Sequence, residues 1–140
     1  LQLTSEQYKS VFDVLAQVPE LNIAICHFAS PWDQSTAGFS HWKKHMQAFA
    51  TLPNCHIKLS GFSMFKHAFE PENFTRYAHT AIDIFGPSRC MFGSNFPVDK
   101  LYVGYQELFQ QWQAVVAQYT SKEAQQLASD TATSFYRLST

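Results

Sequence analysis

Three short strand-like segments, each followed by a helical pattern, constrain the fold of this 140-residue chain most strongly. They lie at 22–28, 56–60 and 89–94, and they recur about every 33 residues, the size of a repeated strand–helix unit. The first is a continuous apolar run, which is typical of a parallel strand buried on both faces. The pattern predicts an α/β protein in which parallel strands alternate with outer helices.

Helical periodicity fills the segments around these strands. Apolar residues recur at helical spacing before the first strand, after each of the three strands, and again at the C-terminal end. Residues that favour the first turn of a helix precede or begin four of these segments, namely Thr4, Ser40, Pro71 and Thr120. The second helix is expected to begin only at Ser40, after a loop over 29–39. The predicted order is helix, three strand–helix units and one further helix.

Two architectures fit this alternation. A doubly wound open sheet can close at this length, but three strands make a thin sheet for a chain that is 16% aromatic. The alternative is the C-terminal part of a (β/α)8 TIM barrel, which needs about 250 residues in full. We favour three strands of such a barrel, with residues 1–140 forming a single partial domain.

Charge and composition narrow the classes of partner. The formal net charge is −1 and the basic residues form no run, so nucleic acid and anionic membranes are not expected partners. No stretch approaches the length of about 18 apolar residues that a membrane span needs. No signal peptide is visible, and the three cysteines lack a Cys-x-x-Cys pair, as expected for buried thiols in a reducing compartment. We therefore expect a soluble, cytoplasmic protein.

Polar residues stand at the ends of two predicted strands. His27 lies at the end of the first strand-like segment, and Asn95 follows the third. In a barrel of parallel strands, residues at the C-terminal ends of strands form the active site. His27 is therefore a candidate catalytic residue, or else a histidine hydrogen-bonded within the core. Asn95 offers an oxygen for coordination and an NH₂ for an oxyanion but cannot take a proton from water; alternatively it caps the turn before Phe96 and Pro97.

Asp99 lies four residues after Asn95. It is a candidate for the carboxylate that Asn95 cannot provide. The alternative is an ordinary structural role, since an aspartate ahead of a helix often caps it.

Lys58, Ser60 and Trp32 are candidate substrate-binding residues. Lys58 and Ser60 alternate along the second strand, so both project to one side of the sheet. On the barrel interior, Lys58 would contact an anionic substrate and Ser60 a hydroxyl group; otherwise Lys58 extends its charge to solvent or pairs with a helix residue. Trp32, in the loop after the first strand, either binds a sugar-like ring or packs beneath the loop.

The order of these motifs resembles the amidohydrolase-2 family. The resemblance is carried by His27 with Pro-Trp-Asp at 31–33, by Lys-Leu-Ser-Gly at 58–61, and by the Phe-Gly-Pro-x-Arg…Gly-Ser-Asn-Phe-Pro string at 85–97. It extends over nearly all of the chain, from residue 21 to residue 138. Members of this family are predicted metal-dependent hydrolases with the TIM-barrel fold, and relatives include lactonases and some decarboxylases.

The resemblance also implies roles for individual residues. The three strands correspond to the sixth, seventh and eighth of a barrel, and the His-x-His pair that the family carries on its first strand does not occur in this sequence. His27 corresponds to an active-site histidine that ligates a metal or polarises the substrate carbonyl. Asn95 stands where many members carry a metal-ligating aspartate. The implied cofactor is a divalent metal such as zinc, with metal-independent chemistry left open.

The sequence therefore predicts an amidohydrolase-like hydrolase in which water attacks a lactone carbonyl at the barrel mouth. The expected partner is a small molecule, either a lactone or a carboxylic acid, and homo-oligomerisation is left open. Two alternatives remain, a decarboxylase of the same family and a non-catalytic barrel fragment that pairs with another copy to cover its open strand edges. The segment alone is expected to be inactive.

Overall fold

A parallel sheet forms the centre of the computed structural model, which describes residues 1–138. Its three strands are β1 (Ile23–Ile25), β2 (Cys55–Leu59) and β3 (Cys90–Phe92), in the spatial order β1-β2-β3. Ile57 of β2 pairs in parallel register with Ile25 on one side and with Cys90 on the other. Consecutive strands are thus neighbours throughout, as in a segment of a barrel.

Helices follow every strand, which confirms the predicted alternation. The α-helices are α1 (Tyr8–Leu15), α2 (Thr36–Ala50), α3 (Pro71–Phe85), α4 (Tyr105–Val116), α5 (Ser121–Gln125) and α6 (Thr131–Tyr136). A π-helical stretch, Gln126–Asp130, connects α5 to α6, so that the last predicted helix is one helical run with a wider middle. Between residues 1 and 138, no helix combines the length and apolar character needed to cross a membrane.

Two predicted boundaries are wrong by more than two residues. The first strand ends at Ile25 rather than at Phe28, because a left-handed turn follows it. Helix α2 begins at Thr36 rather than at Ser40, because the hydroxyl oxygen of Ser35 accepts a backbone N–H of the first turn at 3.1 Å. That hydrogen bond satisfies one of the N–H groups that a helix start leaves unpaired.

The hydrophobic core lies between the outer face of the sheet and the helices. Cys55, Ile57 and Leu59 of β2 have no exposed surface. Buried aromatic residues cover them, among them Trp42, Phe49, Phe74 and Tyr77. Burying a side chain of this size stabilises the fold by about 1.5–3 kcal/mol. Many aromatic residues of the chain therefore lie in the interface between the helices and the sheet.

The inner face of β2 carries polar residues in alternation with this core. The ring of His56 lies 4.9 Å from the ring of Phe135, and Nζ of Lys58 lies 5.7 Å from the ring centroid of Tyr136. The C-terminal helix α6 therefore covers the amino end of the inner face. Ser60, which directly follows β2, remains at the carboxyl end.

Arg89 connects the C-terminal ends of two helices just before β3. Its Nη1 donates to the carbonyl oxygens of Ala50 and Leu52 at 3.0 and 3.1 Å, and its Nε donates to Phe85 O at 2.9 Å. Carbonyl groups at the end of a helix have no partner within it, and the helix dipole favours a cation there. Arg89 thus fixes α2 and α3 relative to the sheet.

Candidate active site at the carboxyl ends of the strands

The backbone turns left-handed shortly after each of the three strands. The φ angle is 56° at His27, 66° at Gly61 and 56° at Asn95. For a residue with a side chain this conformation costs about 1–2 kcal/mol. Backbone strain of this kind is concentrated at functional sites, and these positions share the edge of the sheet that forms the active site in barrels.

Gly61 lies between His27 and Asn95 and allows both to approach. A Cβ atom at position 61 would lie 2.7 Å from Nδ1 of His27 and 3.1 Å from Nδ2 of Asn95. Gly61 is not among the predicted site residues, although it belongs to the Lys-Leu-Ser-Gly motif at 58–61. The sequence signal for Gly61 was its position directly after a strand, where the chain must turn. Its contacts with His27 and Asn95 were not predictable in this way, because both residues are distant in sequence.

Ser60 holds the ring of His27. Nδ1 of His27 lies 2.9 Å from Oγ of Ser60, a side chain that is only 4% exposed. Burial lowers the pKa of His27, and the positive charge of Lys58 lowers it further, against the opposing charge of Asp99. His27 is therefore neutral at pH 7. Nδ1 is committed to Ser60, which leaves Nε2 as the ring nitrogen for a ligand.

Asn95 and Asp99 form a second hydrogen-bonded pair. Nδ2 of Asn95 donates to Oδ1 of Asp99 at 3.1 Å and also faces the sulfur of Met64 at 3.5 Å. Asp99 is only 1% exposed, so its carboxyl group lies beneath Asn95 and does not open to the mouth. Burial raises the pKa of Asp99, while the amide of Asn95 lowers it to a smaller extent. The residue before α4 is Gly104, so Asp99 does not cap that helix.

Lys58 shares the inner face with Ser60. A Cβ atom on Gly93, at the end of the neighbouring strand, would lie 3.1 Å from Cβ of Ser60 and 3.9 Å from Cε of Lys58. The missing side chain at position 93 therefore leaves room for both residues. The ammonium group of Lys58 is near enough to His27 to affect its pKa.

Trp32 does not join this cluster. Its side chain is 56% exposed, and its ring centroid lies 5.1 Å from that of Phe65. It lines a separate pocket of about 260 Å³ together with Ser30 and Asp33. None of the other predicted site residues lines this pocket. A substrate-binding role for Trp32 remains a prediction.

Residues 1–138 do not by themselves provide the donors of a metal site. Across this range, no three His, Cys, Asp or Glu side chains come together in a way that could hold an ion. Asp99 is the carboxylate among the predicted site residues, and its side chain is buried and accepts a hydrogen bond from Asn95. Because zinc sites use three or four protein ligands, a metal at His27 would need donors from outside these residues.

Comparison with known proteins connects this geometry to a family. Residues 7–138 match the model of an amidohydrolase family, Amidohydro_2. The uncharacterised protein y4mH of Sinorhizobium fredii is 32% identical over 138 residues, which cover 99% of this chain and 46% of that protein. The L-rhamnono-gamma-lactonase of Scheffersomyces stipitis is 31% identical over 121 residues, which cover 76% of this chain and 36% of that protein.

Solved structures show the same fold. An amidohydrolase from Burkholderia multivorans with bound zinc superposes with a TM-score of 0.91 at 22% identity, covering 99% of this chain and 52% of that one. A putative 2-pyrone-4,6-dicarboxylic acid hydrolase from Pseudomonas putida superposes with a TM-score of 0.68 at 22% identity, covering 91% and 49%.

The chain spans less than half the length of the curated relatives named here, and about half the length of the solved chains. The structural likeness confirms the predicted fold class, a three-stranded part of a TIM barrel. The family-model match covers nearly the whole chain, which therefore belongs to the amidohydrolase family.

Proposed function

We propose that residues 1–140 are the C-terminal part of a barrel hydrolase that opens lactones of sugar acids. The observation that carries the proposal is the meeting of His27 and Asn95 across Gly61 at the carboxyl ends of the strands. The names of two relatives, L-rhamnono-gamma-lactonase and L-fucono-1,5-lactonase, support the substrate class. The partner is accordingly a small lactone. The three cysteines are free, which supports a cytoplasmic setting.

His27 acts on the attacking water. In our assignment, Nδ1–H donates to Oγ of Ser60, so that Nε2 carries a lone pair toward the mouth. A neutral imidazole of this kind is a general base at neutral pH, and the lowered pKa of His27 keeps it in that form. Ser60 is then a positioning residue that fixes the ring and its tautomer.

Asn95 stabilises the charge that develops on the carbonyl oxygen. One N–H of its amide is bonded to Asp99, and the other faces the sulfur of Met64, which is a weak acceptor. An oxyanion is a far stronger acceptor and would take that second N–H. Asp99 acts through Asn95, since its carboxyl group is buried and fixes the orientation of the amide.

The proposed reaction is the hydrolysis of a cyclic ester. The oxygen of water bonds to the carbonyl carbon while one of its protons passes to Nε2 of His27. The resulting tetrahedral oxyanion collapses, the bond from the carbonyl carbon to the ring oxygen breaks, and the ring oxygen takes the proton from His27. The product is an open hydroxy acid, which loses its carboxyl proton to solvent. Attraction of the resulting carboxylate by Lys58 is part of the same proposal, and the effect of the Lys58 charge on the pKa of His27 supports it.

The test is a substrate panel presented to the complete barrel polypeptide. Sugar-acid lactones are compared with aromatic and pyrone acids, and each assay is repeated after treatment with a chelator. We expect lactone turnover with release of a hydroxy acid. Release of carbon dioxide from the acids, without lactone opening, would instead assign the chain to decarboxylation.

A further inference from the structure

The turn that begins at His27 is left-handed over four successive residues, none of which is glycine. The φ angles are 56° at His27, 51° at Phe28, 59° at Ala29 and 57° at Ser30. L-residues visit this conformation singly, not in runs, because Cβ crowds the following carbonyl oxygen. A run of four therefore requires contacts from the rest of the fold that hold it in place.

Part of the restraint comes from within the turn. The N–H of Ala29 donates to Cys26 O at 3.0 Å, and the N–H of Ser30 donates to His27 O at 2.8 Å. The side chain of Phe28 is fully buried against aromatic neighbours. These bonds close the turn, but they leave the carbonyl groups of Phe28 and Ala29 without backbone partners, and buried carbonyl groups need one.

Two buried side chains from separate helices supply those partners. The hydroxyl of Tyr8, in α1, donates to Ala29 O at 2.6 Å, and Nε1 of Trp42, in α2, donates to Phe28 O at 2.7 Å. Both side chains are 1% exposed, so water cannot replace either bond. Burial raises the pKa of the Tyr8 hydroxyl, which keeps its proton available for donation.

The handedness of the turn sets the direction of the His27 ring. His27 is the first residue of the run, and from this backbone conformation its ring reaches Ser60 and the space above Gly61. We propose that Tyr8 and Trp42 are positioning residues, which clamp the left-handed turn and thereby aim His27 at the substrate. This inference deepens the proposed function and rests on it for the catalytic role of His27.

A single hydroxyl deletion tests the clamp, and the chain offers a matched control. Tyr8→Phe removes the donor to Ala29 O but keeps the ring, which also packs against His45 at 5.1 Å between centroids. Tyr77→Phe removes another buried hydroxyl from the same core, and that hydroxyl has no hydrogen-bond partner among the residues that the structure describes. Trp42→Phe deletes the second donor.

The first measurement is the ring ¹⁵N spectrum of His27 in the complete barrel at neutral pH, with hydrogen exchange of the Ala29 and Ser30 amides. We expect a single tautomer in the wild type and in Tyr77→Phe. In Tyr8→Phe and in Trp42→Phe, we expect averaged shifts of two tautomers and faster exchange of both amides. Wild-type shifts and exchange rates in both clamp variants would overturn the inference.

The second measurement is lactone turnover by the complete barrel. We expect kcat to fall by up to about 10²-fold in Tyr8→Phe, with KM nearly unchanged, since a small misplacement of a catalytic group has that effect. Altered ring spectra without lactone turnover in the wild type would sink the proposed function and leave the clamp standing. Failure of both clamp variants to fold, while Tyr77→Phe folds, would show a purely structural role and overturn the inference.

Discussion

Nδ1 of His27 and Oγ of Ser60 lie 2.9 Å apart and link the chain segments that leave β1 and β2. The two residues are 33 positions apart in sequence, so the fold alone brings them together. The bond restrains the ring on one side and leaves Nε2 for chemistry. It is therefore the contact through which the sheet restrains the ring for which we propose a catalytic role.

Ser60→Ala removes this restraint. We expect the free energy of unfolding to fall by about 0.5–1.5 kcal/mol, as for loss of one hydrogen bond. We expect kcat of the complete barrel to fall by up to about 10²-fold, because His27 loses its fixed orientation. Urea melts and steady-state kinetics measure the two effects. Unchanged kcat in a folded variant would show that Ser60 does not position the ring.

Gly61→Ala combines two penalties. Its φ of 66° costs an alanine about 1–2 kcal/mol. The added Cβ would also lie 2.7 Å from Nδ1 of His27 and displace the ring. We expect loss of stability together with loss of lactone turnover.

Gly86→Ala is the matched control. Gly86 has a φ of 79°, but a Cβ there would meet nothing within 4 Å. This variant should lose similar backbone stability in urea melts and keep its turnover per folded molecule. Equal activity in the two variants would contradict a close approach at Gly61.

Asp99→Asn separates two roles of the carboxyl group. The variant keeps an acceptor oxygen for the amide of Asn95, so a positioning role predicts that kcat/KM stays within about tenfold. A general base at this position would lose about 10²–10⁴-fold. Steady-state kinetics decide between them, and a loss in the larger range would return the proton-accepting role to Asp99.

We also expect the difference in unfolding free energy between Asp99→Asn and wild type to depend on pH. Burial raises the pKa of Asp99 above its ordinary value of 3.8, so the folded state binds a proton more readily than the unfolded state does. Its contribution to stability is therefore largest at low pH and is lost as pH rises through the folded pKa. Relative to wild type, Asp99→Asn should gain stability as pH increases from 3.8 toward neutral. A difference that does not change with pH in chemical denaturation would contradict the raised pKa.

Arg89→Met tests the connection between helices and sheet. The variant leaves the carbonyl groups of Ala50, Leu52 and Phe85 without their charged donor. We expect a loss of about 1.5–3 kcal/mol in the free energy of unfolding. Lys44→Met, on the exposed face of α2, is the control and should lie within about 0.5 kcal/mol of wild type. Equal unfolding free energies for the two variants would show that the Arg89 bonds contribute nothing.

The order of strands and helices was predictable from the sequence, because the face that each element buries sets the local spacing of its apolar residues. The segment at 22–28 reads as a strand throughout, yet only Ile23–Ile25 forms one. The left-handed turn that replaces its end depends on donors from Tyr8 and Trp42, which no local pattern encodes. Helix α2 begins early for a simpler reason, since Ser35 is as good a cap as Ser40 and both were available in sequence.

The site was predictable in part. Strand-end position predicted that His27 and Asn95 lie at one edge of the sheet, and alternation along β2 predicted a common face for Lys58 and Ser60. Their roles in the reaction stay predictions. The burial of Asp99 beneath Asn95 was not predictable, because it depends on the course of the loop after β3.

The most direct test of a catalytic role for His27 is kcat/KM for a sugar-acid lactone with wild type, His27→Ala and His79→Ala in the complete barrel. His79 is the control because it lies on helix α3, where its Nδ1 lies 2.8 Å from the hydroxyl of Tyr119, and it is not among the candidate site residues. We expect His27→Ala to lose about 10²–10⁴-fold, the contribution of a general base, and His79→Ala to retain wild-type turnover. Equal turnover in all three proteins would contradict the assignment of His27 to the reaction.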